Sequence, residues 1–337
     1  MAGIRALRQI EIGLEAVAGT AHAGTHIWRG TGSLKDLAVP KLVKEDVGYL
    51  HSLGRSYIPA LGAEIKFAPA PATYQYLPWI FTAGVEQVES GVADGAGTGE
   101  IYQFDGPSTS ANAISSFTIR GGDNQRVDVA EYAFVKNWQL TGAAGEAVML
   151  SATLEGRQAT DGDYTGSLTP AAVNEVLFGN GVLSLDASSG TVGTTPVVGA
   201  WVGFKFGGPT GWQALRSGEG DLFFATPIFT GNVEKPMGGE ISLLHGTVAE
   251  AEIAIARTKD ATRLMRMLFR GPALTTQGTA YTYYTLQIDA AIRYTDIPEL
   301  DEDDGNDVVT LPFEVVYNIT KTLSYQIIVV NQTAAIT

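Results

Sequence analysis

Apolar and polar residues alternate along this chain in short runs, and a period of two restricts such runs to half-buried strands. In "QIEIGLEAV" the alternation runs from Ile10 to Leu14, and in "SSFTIRGG" Phe117 and Ile119 fall on one face. "FVKNWQL" alternates through Phe134, Lys136, Trp138 and Leu140, and "AVMLSATLEG" through Val148, Leu150, Ala152 and Leu154. Further runs are "VLSLD", "WVGFKF", "AEIAIAR", "YTLQIDAAIRY", "LPFEVVYN" and "LSYQIIVVN". Gly, Pro, Asn or Asp bounds each one, as turns demand. The 337 residues include 40 Gly and 14 Pro, more than the roughly 12 % of average usage. Frequent turns between short strands make a mainly β fold the expectation.

Two segments break the period. "TYQYLPWIFTAG" puts Leu77, Ile80 and Phe81 at helical spacing, and "DATRLMRMLFRG" does the same with Met265, Leu268 and Phe269 between an Asp cap and a Gly. Each reads as a short amphipathic helix. The regions superpose without a gap at an offset of 188, "AEIKFAPAPATYQYLPWIF" (63–81) over "AEIAIARTKDATRLMRMLF" (251–269). Each copy then reads as a strand followed by a helix, with a β-hairpin further on. The polar, Gly-containing stretch 156–175 is the candidate boundary. The expectation is a tandem pair of β-sandwich or barrel domains, 1–165 and 166–337, each with one short flanking helix.

Composition excludes several chemistries. A net charge of -14 suits no protein that grips nucleic acid through clustered bases. Without cysteine there are no disulfides, thiolate metal sites or thiol nucleophiles. Glu11 and Glu15 interrupt what would be the apolar core of a signal peptide, and no apolar run approaches a membrane span. His22 and His26 are four apart, but in a Gly-rich stretch that is no helix, and the Glu of a zinc-protease helix is missing. There is no nucleophile elbow and no phosphate loop, and "GAGTGE" (95–100) lacks the third Gly of a dinucleotide fingerprint. Between Asp296 and Asp307 lie seven acids and no base. With Gly305 as sixth residue of a calcium loop, Leu300 and Leu311 fall where ligands belong, so the loop is no EF-hand. No enzyme, metal or cofactor is expected.

The order of these segments resembles a bacteriophage major tail protein, the tail tube subunit of long-tailed phages, in a two-domain variety. "IEIGLEAVAGTAHAGTHIWRG" with "VPKLVKEDVGYL" resembles that family's first strand and following long loop. "ISSFTIRGGDNQRVDVAEYAFVKNWQLTGAAGEAVMLSATLEG" resembles its strand pair and hairpin, and "LQIDAAIRYTDIPE" and "YNITKTLSYQIIVVNQ" its last strands. The resemblance implies subunits that close into stacked rings around a β-lined, negatively charged channel for double-stranded DNA. A duplicated member needs three chains for a pseudo-sixfold ring. It implies as partners other copies of the chain, the tape measure, the tail terminator and the tail tip proteins. It also implies assembly in the bacterial cytoplasm, residence in the virion and no membrane.

Two sets of residues follow from this. The long segment 20–60 carries Trp28, Leu37, Val39, Pro40, Tyr49 and Tyr57. Such a loop is usually functional or disordered, and with this apolar content it either docks onto the next ring or folds back on its own domain. Asp301, Glu302, Asp303, Asp304 and Asp307 form either an acidic rim near the channel or ring junction, or a solvated loop. The other readings are a contractile-tail or secretion-type tube of the same fold, a calcium- or carbohydrate-binding β-sandwich, and a glycoside hydrolase, whose carboxylate pair would meet only in the fold.

Overall fold

The computed structural model describes residues 3–51, 53–218, 222–231, 234, 236–259, 262–303 and 305–337. Strands β1 (Gln9–Leu14), β2 (His26–Ile27), β3 (Gly32–Asp36), β4 (Lys41–Leu42), β5 (Ser56–Tyr57) and β6 (Ala63–Pro71) precede helix α1 (Leu77–Thr82). Then come β7 (Val92–Ala93), β8 (Glu100–Asp105), β9 (Phe117–Gly122), β10 (Val127–Ala143), β11 (Met149–Gly156) and β12 (Ala159–Gly162). The second half has β13 (Gly181–Ala187), β14 (Trp201–Pro209), β15 (Trp212–Ala214), β16 (Pro227–Phe229) and β17 (Gly238–Leu244), followed by α2 (Thr247–Ala256). It ends with β18 (Thr262–Ala273), β19 (Tyr283–Tyr294), β20 (Leu300–Asp303), β21 (Asn306–Val315) and β22 (Tyr325–Asn331). The fold is mainly β, with two α-helices among the described residues and large antiparallel sheets.

Each half packs two sheets face to face, and the two halves use the same strand order. In the first half one sheet runs β1–β9–β10–β12 and the other β3–β6–β11–β10. In the second the orders are β13–β18–β19–β22 and β14–β17–β21–β19. Strands β10 and β19 therefore serve both sheets of their halves. β10 makes the passage through a bulge: its pairing slips between Ala130 and Ala133, where Tyr132 has φ 52°.

The gap-free alignment at offset 188 does not survive. Residues 251–256 are helix and 262–269 are strand, the reverse of the reading from sequence. In structure α2 matches α1, and β17 matches β6. The physical reason is the buried set. Ala249, Glu252, Ile253 and Ala256 are buried at i, i+3, i+4 and i+7, and Ala-rich sequence favours helix. In β18, Met265, Met267 and Phe269 point inward while Arg266 reaches Asp289 at 2.6 Å. Glu252, 5 % exposed, is held by the Arg263 guanidinium at 2.6 Å and by the Tyr294 hydroxyl at 2.7 Å.

The halves are fused by β10 and β14, which pair from Asn137↔Pro209 to Ala143↔Gly203. One sheet of eight strands results, β3–β6–β11–β10–β14–β17–β21–β19. Beneath it a row of rings crosses the junction: Phe104, Phe81, Trp138, Phe206 and Phe313, with centroids 5.0 to 6.3 Å apart in sequence. A Cβ on Gly207 would lie 2.3 Å from the Trp138 carbonyl, so the close approach of the halves requires glycine there. A second tie pairs β8 with β22, from Gln326↔Asp105 to Asn331↔Glu100.

Replacing Arg263 with Met strands a buried carboxylate. Urea denaturation should show a loss of about 3–5 kcal/mol, most of it regained in the double variant Arg263→Met/Glu252→Met.

Candidate assembly surfaces

The eight-strand sheet ends in open edges. Among the described residues β3 pairs only with β6. At the other end the row of β19 runs on: the Thr295 N–H donates to the Pro312 carbonyl, and β20 then pairs with β21 from Leu300↔Val309 to Asp303↔Asn306. The acidic stretch is thus the last strand of this sheet, folded as a hairpin over Gly305 at φ 79°. It occupies the connection that the short turn after β10 fills in the first half. The two edges differ in charge. A groove of about 1230 Å³ beside β3 is lined by Arg5, Arg8, Lys35, Lys66 and Arg126 among others, with Asp36, Asp123 and Asp128. β20 carries Asp301, Glu302 and Asp303, with Asp307 opposite Glu302.

The outer face of the eight-strand sheet is polar. Ser33, Asn137, Gln139, Thr141, Ser151 and Thr153 lie between inward residues such as Leu150, Leu154, Trp138 and Leu140. Its charges come largely in opposed pairs: Lys66 with Glu64 at 2.9 Å, Lys136 with Glu155 at 2.8 Å, and Arg293 with Glu314. The acids do not pave this face; they gather at the β20 edge.

Between β3 and β6 an arm projects, held as a small hairpin by β4 and β5. Val39, Leu42, Tyr49, Leu50, Leu53 and Tyr57 are all exposed on it, Leu50 completely. The same place in the second half, between β14 and β17, holds the β15–β16 hairpin. That hairpin is docked onto the first half of its own chain. Phe224 is fully buried there, its ring 5.4 Å from Tyr132 and 5.7 Å from Phe134. The Arg157 guanidinium lies over Tyr132 and Phe223 and donates to the Ala225 carbonyl at 2.9 Å. Arg216 donates to the Leu61 carbonyl at 2.9 Å, and the Leu61 N–H to the Leu222 carbonyl at 2.8 Å.

Of the residues picked for the long segment, Val39, Pro40, Tyr49 and Tyr57 are exposed on the arm and Leu37 is half-buried at its base. Trp28 is a core residue instead, 7 % exposed and stacked on Phe67 with centroids 4.4 Å apart. The start of the segment is pinned to α1: the Tyr76 hydroxyl donates to the Ile27 carbonyl at 2.5 Å, and burial raises its pKa to about 12. Of the acidic candidates, Asp301, Glu302 and Asp307 are exposed, Asp303 pairs through its backbone, and Asp304 lies outside the described residues. No cluster of three His, Cys, Asp or Glu residues that could hold a metal occurs among the described residues. Sequence reasoning missed the β15–β16 hairpin and Phe224; the signal available was the apolar run "LFFATPIF" inside a polar, Gly-rich stretch.

No protein-family model matches the chain, and no curated protein does either.

His26 anchors β2 against Trp79, with ring centroids 4.8 Å apart, and burial lowers its pKa below the usual 6.5 despite the Thr337 backbone bond that raises it. The folded chain therefore takes up this proton less readily than the unfolded chain. Stability from this site is full above about pH 6.5 and falls as the pH drops toward the lowered folded value. The urea midpoint should decline between pH 7 and 5, and decline less in His26→Phe.

Proposed function

We propose that the chain is the subunit of a bacteriophage tail tube, three copies closing a pseudo-sixfold ring and rings stacking into a conduit for double-stranded DNA. The observation that carries this reading is the β10–β14 ladder. It joins the end strand of one four-strand sheet to the first strand of the next, within one chain. The same two strand positions are left open at the ends of the eight-strand sheet, β20 following β19 at one end and β3 at the other. Repeating the internal junction between chains, β20 of one against β3 of the next, continues the sheet without a new kind of contact. Head-to-tail contacts of this sort close into rings when the rotation permits, and a closed sheet has no edges to aggregate. The order of sequence segments supports the same family.

The charges support the pairing of these edges. The acidic β20 strand of one chain meets a groove beside β3 of its neighbour in which bases outnumber acids, with Arg5, Arg8 and Lys35 among them. Complementary charge of this kind speeds association and fixes partner choice. In the ring the polar face of the eight-strand sheet lines the channel. Lys66 and Lys136 are engaged by glutamates, which reduces the positive charge free to release counterions from DNA. The wall lets DNA slide because it is polar and balanced, and the acidity falls at the junctions. Tape measure, terminator and tip proteins as further partners, and the virion as location, rest on the family resemblance.

Negative-stain electron microscopy of concentrated protein should show threefold rings and hollow tubes. A chain that stays monomeric at millimolar concentration overturns the reading. The Thr31 carbonyl and the Leu37 N–H both face β6, so alternation turns the N–H of Asp36 outward. Asp36→Pro should leave the monomer folded and lower the yield of rings. The variant Asp301→Asn/Glu302→Gln/Asp307→Asn should associate more slowly and lose salt sensitivity.

A further inference from the structure

The second half has its own version of the site that Phe224 fills in the first. After β11, the Arg157 N–H donates to the Glu131 carbonyl at 2.9 Å; after β21, the Val316 N–H donates to the Ala291 carbonyl at 2.9 Å. Two residues earlier in each strand stands a glutamate paired with a base of the neighbouring strand, Glu155 with Lys136 and Glu314 with Arg293. Val316 therefore takes the place of Arg157. In the first half this corner is covered by residues 222–225. In the second half it is an open groove of about 480 Å³, whose walls include Met237, Val315, Val316, Tyr317 and Tyr325. Tyr317 is exposed, and Val315 and Val316 are half-buried.

We propose that this groove receives the tip of the arm, residues 43–51 and 53–55, of the adjacent copy in the same ring. The inference rests on the tube reading and adds the arm's direction: it clasps sideways within a ring. Three observations single out this occupant. The arm follows β3 as the β15–β16 hairpin follows β14, so whichever strand a neighbour's β3 pairs with, its arm emerges beside the corresponding corner. The tips are nearly equal in length, 43–55 against 215–226, and counting back from β5 and β16 sets Leu53 at the position of Phe224. Both surfaces carry apolar groups that the single chain leaves wholly or partly uncovered: Tyr49, Leu50 and Leu53 on the arm, and exposed Tyr317 with half-buried Val315 and Val316 in the groove. Burying the two together removes apolar surface that a lone subunit leaves in water.

The chain has no cysteine, so a pair introduced as Leu53→Cys/Tyr317→Cys is the only thiol pair present. In assembled protein treated with a short bismaleimide, the expected product is a covalently closed trimer on a denaturing gel, with each single variant remaining monomeric. Rings that form normally but stay unlinked overturn the clasp and leave the tube reading standing. Protein that forms no rings at all before modification overturns both. The variant Tyr49→Asp/Leu50→Asp/Leu53→Asp reads the same contact without thiols. Ring closure should weaken by about tenfold or more, with the thermal midpoint of the monomer unchanged. Rings of this variant that close at the normal concentration, but no longer stack, assign the arm to the neighbouring ring and overturn the proposal.

Discussion

The ladder between β10 and β14 is the interaction on which the rest of the molecule depends. Without it there are two small sandwiches, each with a four-strand sheet open at both ends. With it, Trp138 and Phe206 are sealed beneath a continuous sheet and the aromatic row passes from one half to the other. The ladder also shows what this fold does with an edge strand. It offers the backbone to the first strand of another copy of the same unit, at a spacing tight enough to demand Gly207. The β15–β16 hairpin reinforces the joint by planting Phe224 on the far side of it.

The open ends are shaped by the opposite need. An unpaired strand invites any other strand to join it, and charge is a common defence. β20 sets Glu302 opposite Asp307, so two like charges face each other across the hairpin. Such a strand resists pairing with a copy of itself and favours a basic partner. The rest of the long sheet's outer face is polar, with ion pairs at Lys66–Glu64, Lys136–Glu155 and Arg293–Glu314.

Much of the architecture was legible in the alternation of residues. The strand of Ile10 and Ile12, the strand of Trp138 and Leu140, and the hairpin around residues 143–149 are where period two sets them. The exchange of helix and strand at 247–273 was not legible, because "AEIAIA" and "LMRMLF" each satisfy both periods. What decided between them was tertiary: Glu252 is tolerable only where Arg263 and Tyr294 can reach it. The duplication is clear in the pairing order and blurred in the residues, since equivalent strands share partners and inward parity without sharing side chains. Trp28 looked like a docking residue because it sits in a long connection; Phe67 and Tyr76 give it a place in the core. The acidic stretch was visible as composition, and its role as an edge strand needed the register of β21.

Carrying both sandwiches on one chain changes how an assembly is reached. In a ring of the proposed kind every second junction is already made when the subunit folds. A tethered partner of this sort is presented at an effective concentration of roughly millimolar, whatever the dilution of the protein. Closure then calls for three bodies to meet in place of six, and the reaction order halves. The two classes of junction are also released from identity. The one inside the chain can be apolar, permanent and indifferent to salt. The one between chains can be charged, so that it remains reversible until the last subunit arrives and errors of assembly can still come apart.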